Sequence, residues 1–216
     1  MSRVLIPFQC EQCGRHLHKQ VYDGVDVSKE PQYRAKVMDA SIFDFVCPHC
    51  GNVNGVIYPF LYHDPSRRFM IQLVDSSFKG DPFVDVFDET KETERAMKQV
   101  TADMKSRYRF RTVRTPNALM EKIILFENDL DDRAVEIMKA GLLAADPSIL
   151  SLWFAPTENG PVFLIEDETG FSRSVPFDAK LYEEVMEKAP AFSDAETEID
   201  QNWIKAVSQQ GESACL

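Results

Sequence analysis

The sequence carries the same chemical pattern twice, Cys10-Glu-Gln-Cys13-Gly14 and Cys47-Pro-His-Cys50-Gly51. Two thiolates two residues apart on a tight turn point both sulfurs into it. The glycine that follows accepts the positive φ needed to leave the turn. Two such knuckles close a sulfur tetrahedron, and a closed set of four protein ligands marks a structural rather than a catalytic site. C-x2-C…C-x2-C spacing reads as zinc, so Cys10, Cys13, Cys47 and Cys50 are expected to bind one Zn2+. The 33 residues between the pairs exceed what a minimal ribbon needs, so a strand and a helix are expected there.

The rival chemistry is thiol–disulfide exchange. Cys47-Pro-His-Cys50 has the composition of an oxidoreductase motif, in which a neighbouring His lowers a thiol pKa. That chemistry also needs the first Cys at a helix N-terminus, where the dipole stabilises the thiolate. Gly51-Asn-Val-Asn-Gly55 and the β-rich run after it offer no helix, and a second C-x-x-C would stand unexplained.

Other reactive side chains have competing readings. His16, His18 and His49 flank the cysteines. A mixed Cys/His set is one reading; four thiolates that already fill the metal, leaving the histidines exposed, is the favoured one. His49 is also placed to donate to a sulfur. His63, in Tyr62-His63-Asp64, could act as a general base beside a carboxylate, although Asp before Pro65 more often begins a turn. Glu121, Lys122, Asp131, Asp132 and Arg133 could line a site between two helices. Charges so placed are usually solvated helix faces or caps, and Asp131 and Asp132 suit a helix N-terminus. Cys215 sits too near the end for a prenylation box and reads as a free thiol. The chain has no Gly-rich phosphate loop, no H-E-x-x-H and no G-x-S-x-G.

The elements that must position the cysteines read as mostly β. Val4–Phe8 is a strand leading into Cys10, Gln20–Val27 alternates like a half-buried strand, and Ile42–Val46 is a strand entering Cys47. Pro31 opens a short helix to Met38. Val56–His63 and Phe69–Val74 flank Asp64-Pro-Ser-Arg67, which has turn chemistry, and form a hairpin. Residues 76–89 read as a loop, Thr90 caps a helix to about Arg107, and Arg109–Val113 is a strand. Thr115-Pro116 starts a helix with Leu119, Ile123 and Phe126 at helical spacing. Asp132–Ala145 is a second helix, with Val135, Met138 and Leu142 on one face, and so short a link predicts a helical hairpin. Beyond it, Leu150–Ala155, Val162–Glu166 and Phe171–Phe177 read as strands, and Asp178–Lys188 and Asp194–Ser208 as helices, the last with Trp203 inward.

Charge narrows the function classes. The net charge is -11: residues 1–75 are neutral, 76–89 carry -3, 90–115 carry +5 and 116–216 carry -13. An acidic surface repels phosphate backbones, which leaves only the 90–115 segment as a possible nucleic-acid contact. No apolar run approaches the roughly 20 residues that span a bilayer. Met1–Phe8 lacks the pattern of a signal peptide, so the cytoplasm, where thiols stay reduced, is the expected compartment.

Phe8 with Cys10-x-x-Cys13-Gly14, Phe45-x-Cys47-Pro48-x-Cys50-Gly51 and the strand Tyr58-Pro-Phe-Leu-Tyr-His-Asp64 together resemble the CpXC family of bacterial and archaeal proteins. Asn117–Ile123 and Asp132-Arg133 extend the likeness over roughly residues 8–140. Glu11 departs from it, standing where the family usually has Pro, while all four thiols are intact. The resemblance supports the zinc site and brings no activity with it.

These readings combine into an α+β chain. A zinc-ribbon-based sheet domain with a helical hairpin is expected over residues 1–147, and an acidic α/β extension over 148–216. The expected function is a non-enzymatic cytoplasmic interaction or adaptor protein that binds protein partners or itself. The alternatives are an enzyme built around His63 and the 121–133 helices, or nucleic-acid binding through residues 90–115.

Overall fold

Burial alternates along Arg3–Gln9, which is the two-residue period of a strand with one face turned inward. In the computed structural model, which describes residues 3–80, 82–83, 107–188 and 196–213, this strand, β1, pairs antiparallel with β2 (His16–Tyr22), and Gln9 faces His16 at the tip. The expected single strand Gln20–Val27 instead breaks after Tyr22. Its second part, β3 (Gly24–Asp26), leaves β2 and pairs in parallel with β6 (Phe60–Asp64). Glycine permits the change of partner, because a Cβ at Gly24 would stand 2.6 Å from the Leu61 carbonyl oxygen.

The segment between the cysteine pairs also holds α1 (Gln32–Met38), with Pro31 at its N-cap. Ala40 then adopts a left-handed φ of 59°, and a 3-10 turn over Ser41–Phe43 replaces the start of the expected Ile42–Val46 strand. What remains is β4 (Asp44–Val46), paired antiparallel with β5 (Val53–Gly55). β5 was not expected, since Asn and Gly are poor strand formers.

β6 and β7 (Phe69–Leu73) form the expected hairpin. Asp64 Oδ1 accepts the Ser66 and Arg67 N–H groups in its turn. β8 (Arg109–Val113) adds in parallel, giving the order β3-β6-β7-β8. Phe60, Tyr62, Phe69, Ile71 and Leu73 share one fully buried face. Leu61, His63, Met70 and Gln72 share the other, half-buried face, continued onto β3 by Asp26.

The chain divides into two compact units, Met1–Met120 and Glu121–Leu216. α2 (Pro116–Glu127) runs through the boundary. Thr115 caps it, its hydroxyl accepting the Ala118 N–H. In the second unit α3 (Asp132–Ala145) is capped by Asp131, whose carboxylate accepts the Arg133 N–H. A three-stranded antiparallel sheet follows, of β9 (Ser151–Ala155), β10 (Val162–Asp167) and β11 (Gly170–Pro176), in the order β11-β10-β9. Phe154, Phe163 and Phe177 cluster on it. α4 (Ala179–Lys188) and α5 (Gln201–Ser213) both touch α3, and Trp203 is buried as expected. Within the described residues the helix expected from Asp194 starts only at Gln201.

The fold is mixed α+β, with five α-helices and four small sheets among the described residues. Most of the expected helix from Thr90 to about Arg107, and Cys215, lie outside those residues. Among the described residues, no helix is long and apolar enough to cross a membrane.

Candidate metal centre

Each cysteine pair sits at the tip of its own hairpin, and the two tips repeat one hydrogen-bond pattern. The Gly14 N–H donates to the Cys10 carbonyl and the Gly51 N–H to the Cys47 carbonyl, each at 2.9 Å. The Cys10 N–H donates to Arg15 O at 2.9 Å and the Cys47 N–H to Asn52 O at 2.8 Å. Gly14 and Gly51 take the positive φ values that the motif requires, +68° and +74°.

The hairpins face one another through their sulfurs. Cys10 Sγ lies 3.6 Å from Cys50 Sγ and Cys13 Sγ 3.7 Å from Cys47 Sγ, and all four lie within 4.8 Å of one another. Sulfurs about 2.3 Å from a tetrahedral zinc ion define edges of about 3.8 Å, close to these separations. They are far beyond the ~2.05 Å of a disulfide.

The titration behaviour of the group fits a cation among the sulfurs. Cys10 is lowered to about 6, chiefly by the Cys13 N–H. At Cys47 burial raises the pKa, but the His49 and Cys50 N–H groups outweigh it and the net shift is downward. At Cys50 the Asn52 N–H lowers the pKa, yet burial and the neighbouring sulfurs push it to about 12. Like charges this close oppose one another, and a divalent ion among the sulfurs removes that conflict. The four cysteines could therefore hold a metal ion.

Asn54, unremarked in the sequence, locks the two hairpins together. Its side chain is buried and accepts the Glu11 N–H from the first knuckle at 3.0 Å. It donates to Phe45 O at 3.2 Å and Asn52 O at 3.1 Å in the second hairpin. Its signal was its place in a short polar run directly after the second knuckle. Phe8 also packs edge-on against Phe45, with centroids 5.4 Å apart, and Phe45 leads through Tyr58 to Phe60 of the larger sheet.

The flanking histidines stay out of the sulfur cluster. His16 and His18 are exposed on β2, and His49 pairs at 2.7 Å with Arg15 of the opposite knuckle rather than with a sulfur. His63 is half-buried. Its Nδ1 lies 3.9 Å from Asp26 Oδ2 and its Nε2 3.4 Å from the Tyr108 hydroxyl, while Asp64 makes the expected turn.

The helix charges depart from the solvated faces that were expected. Glu121, Lys122 and Asp132 are buried together with Glu136 and Lys139, which the sequence reading passed over. Lys139 Nζ reaches Glu121 Oε2 at 2.7 Å and Glu136 Oε1 at 3.2 Å, and Lys122 Nζ reaches Asp132 Oδ2 at 2.8 Å. Glu121 Oε1 also accepts the Phe154 N–H of β9 at 2.6 Å. The available signal was Lys139 itself, four residues from Val135 and three from Leu142, a charge inside an apolar stripe. Asp131 and Arg133 pair with each other, 2.7 Å apart, at the start of α3. Of the basic 90–115 segment, Arg111 is buried and Arg114 donates to the Asp75 and Phe78 carbonyls; residues 90–106 lie outside the described ones.

A family model described as CpXC protein matches residues 8–139, more than half of the 216 residues. The chain belongs to the CpXC family. The matched stretch contains both knuckles, Asn54 and the buried charges up to Lys139. No curated protein and no solved structure matches the chain.

Proposed function

We propose that Cys10, Cys13, Cys47 and Cys50 hold one structural zinc ion that fastens the β1–β2 hairpin to the β4–β5 hairpin in a zinc-ribbon arrangement. The protein is then a non-enzymatic interaction or adaptor protein of the cytoplasm. The observation that carries the reading is the sulfur cluster itself, with edges matching a zinc tetrahedron. Four sulfur ligands leave no coordination position for a substrate. A site built from reduced cysteines suits a reducing compartment.

The partner is another protein or a second copy of this chain. Val46 and Val53, 61% and 56% exposed, face each other across the β4–β5 hairpin beside the second knuckle and offer an apolar contact. A net charge of -11 disfavours nucleic acid. Native mass spectrometry of the full chain tests both parts. The account expects one zinc per chain, lost in Cys47→Ser, and a retained partner or second copy, lost in Val46→Ser/Val53→Ser. A metal-free chain refutes the zinc, and a monomer that retains nothing from its host refutes the adaptor.

A further inference from the structure

The four cysteines differ in their access to solvent. Cys10 and Cys47, the first of each knuckle, are 1% exposed, whereas Cys13 and Cys50 are exposed. Each exposed cysteine abuts a buried one of the other hairpin. Cys50 Sγ lies 3.6 Å from Cys10 Sγ, and Cys13 Sγ lies 3.7 Å from Cys47 Sγ. A disulfide needs about 2.05 Å, so each pair has about 1.6 Å left to close. The Asn54 carboxamide and the Phe8–Phe45 contact join the hairpins without using the sulfurs.

Susceptibility of a thiolate to oxidation follows its exposure. An oxidant arriving from solvent therefore meets Cys13 and Cys50 first, with a buried sulfur beside each. We propose that Cys13 and Cys50 are sites of oxidation by peroxide, each resolved by the buried cysteine of the opposite hairpin, giving disulfides Cys10–Cys50 and Cys13–Cys47 and releasing the metal. The starting state rests on the zinc reading above.

In the first step the exposed thiolate attacks peroxide: an S–O bond forms, the O–O bond breaks and hydroxide leaves. In the second the buried thiolate attacks the sulfenic sulfur: the S–S bond forms, the S–O bond breaks and a second hydroxide leaves. Forming each disulfide takes two electrons from two thiolates and reduces one peroxide, and the hydroxides take up protons to become water. Two peroxides consume all four thiolates, and the ion passes to solvent without ligands. The new bonds span 40 and 34 positions, so they replace the ion as the fastener between the hairpins. Oxidation within each C-x-x-C pair would place no bond between them.

The test is hydrogen peroxide treatment of the zinc-loaded full-length chain carrying Cys215→Ser, which removes the fifth thiol. Zinc release is read with a chromophoric chelator, and pairing by tryptic digestion without reductant. Trypsin leaves Cys10 and Cys13 on one peptide, residues 4–15, and Cys47 and Cys50 on another, residues 37–67. The proposal expects one zinc released per two peroxides, and the two peptides joined at a mass four hydrogens below their sum. With limiting peroxide and dimedone as a sulfenic-acid trap, the label should fall on Cys13 and Cys50. Separate peptides, each two hydrogens light, would overturn the proposal. So would label on Cys10 or Cys47, or zinc retained with all four thiols reduced. A chain isolated without zinc whose peptides still join would refute the zinc and support the pairing; a zinc-loaded chain that oxidises within its knuckles would do the reverse.

Discussion

Replacing Asn54 with Ala tests whether the proposed zinc site depends on the scaffold that joins its two hairpins. Asn54 is 2% exposed, and its carboxamide joins Glu11 in one knuckle to Phe45 and Asn52 in the other hairpin. Three such hydrogen bonds, each worth about 1 kcal/mol net, give a loss of about 2–3 kcal/mol. Assembly of the four sulfurs and closure of the hairpins are one event, so the loss falls on metal binding as well as on folding. Zinc affinity, measured by competition with a chromophoric chelator, should therefore drop roughly 30- to 150-fold while the stoichiometry stays at one per chain. Val53→Ala on the exposed side of the same strand is the control and should change affinity little. Unchanged affinity in Asn54→Ala would refute the idea that this side chain couples the two knuckles.

Three further outcomes follow from the packing. Lys139→Met strands Glu121 and Glu136 in a buried site and should cost about 3–5 kcal/mol in urea unfolding; adding Glu121→Gln should recover part of that, and simple additivity would argue against a coupled network. Gly24→Ala sets a methyl 2.6 Å from the Leu61 carbonyl and should lower stability by about 1–3 kcal/mol, read from the thermal melt; an unchanged melt would mean that β3 does not press on β6 as described. Asp146 is lowered from 3.8 to about 2, first by the Ser148 hydroxyl and then by Arg173, so its contribution is present above pH 3.8 and is lost as pH falls through about 2. Asp146→Asn should flatten that acid limb, followed by fluorescence of Trp153 and Trp203, both in the second unit; an unaltered limb would remove Asp146 from the acid response.

The parts that could be read in the sequence were those set by local chemistry. The knuckles announce themselves through C-x-x-C-G, and the Pro116 and Asp132 helices through their caps and apolar spacing. The parts that could not be read depend on distant partners. Nothing within Gln20–Val27 indicates that Gly24 leaves β2 for a parallel neighbour nearly forty residues on, because parallel pairing carries no local signature. β5 is made of Val, Asn and Gly, and its pairing comes from the knuckle before it, not from propensity. Glu121 and Asp132 carry no sign of burial within their own helices. Their burial depends on the opposing lysines, Lys139 across from Glu121 and Lys122 across from Asp132. The same limit hid Asn54, whose role exists only once the two hairpins meet.

The central claim is a four-sulfur zinc site, and X-ray absorption at the zinc edge of the loaded full-length protein tests it most directly. The account predicts a single shell of four sulfur scatterers at about 2.3 Å, with no imidazole contribution from His16, His18 or His49. A shell containing nitrogen or oxygen at about 2.0–2.1 Å, or a chain that takes up no zinc with its thiols reduced, would contradict it.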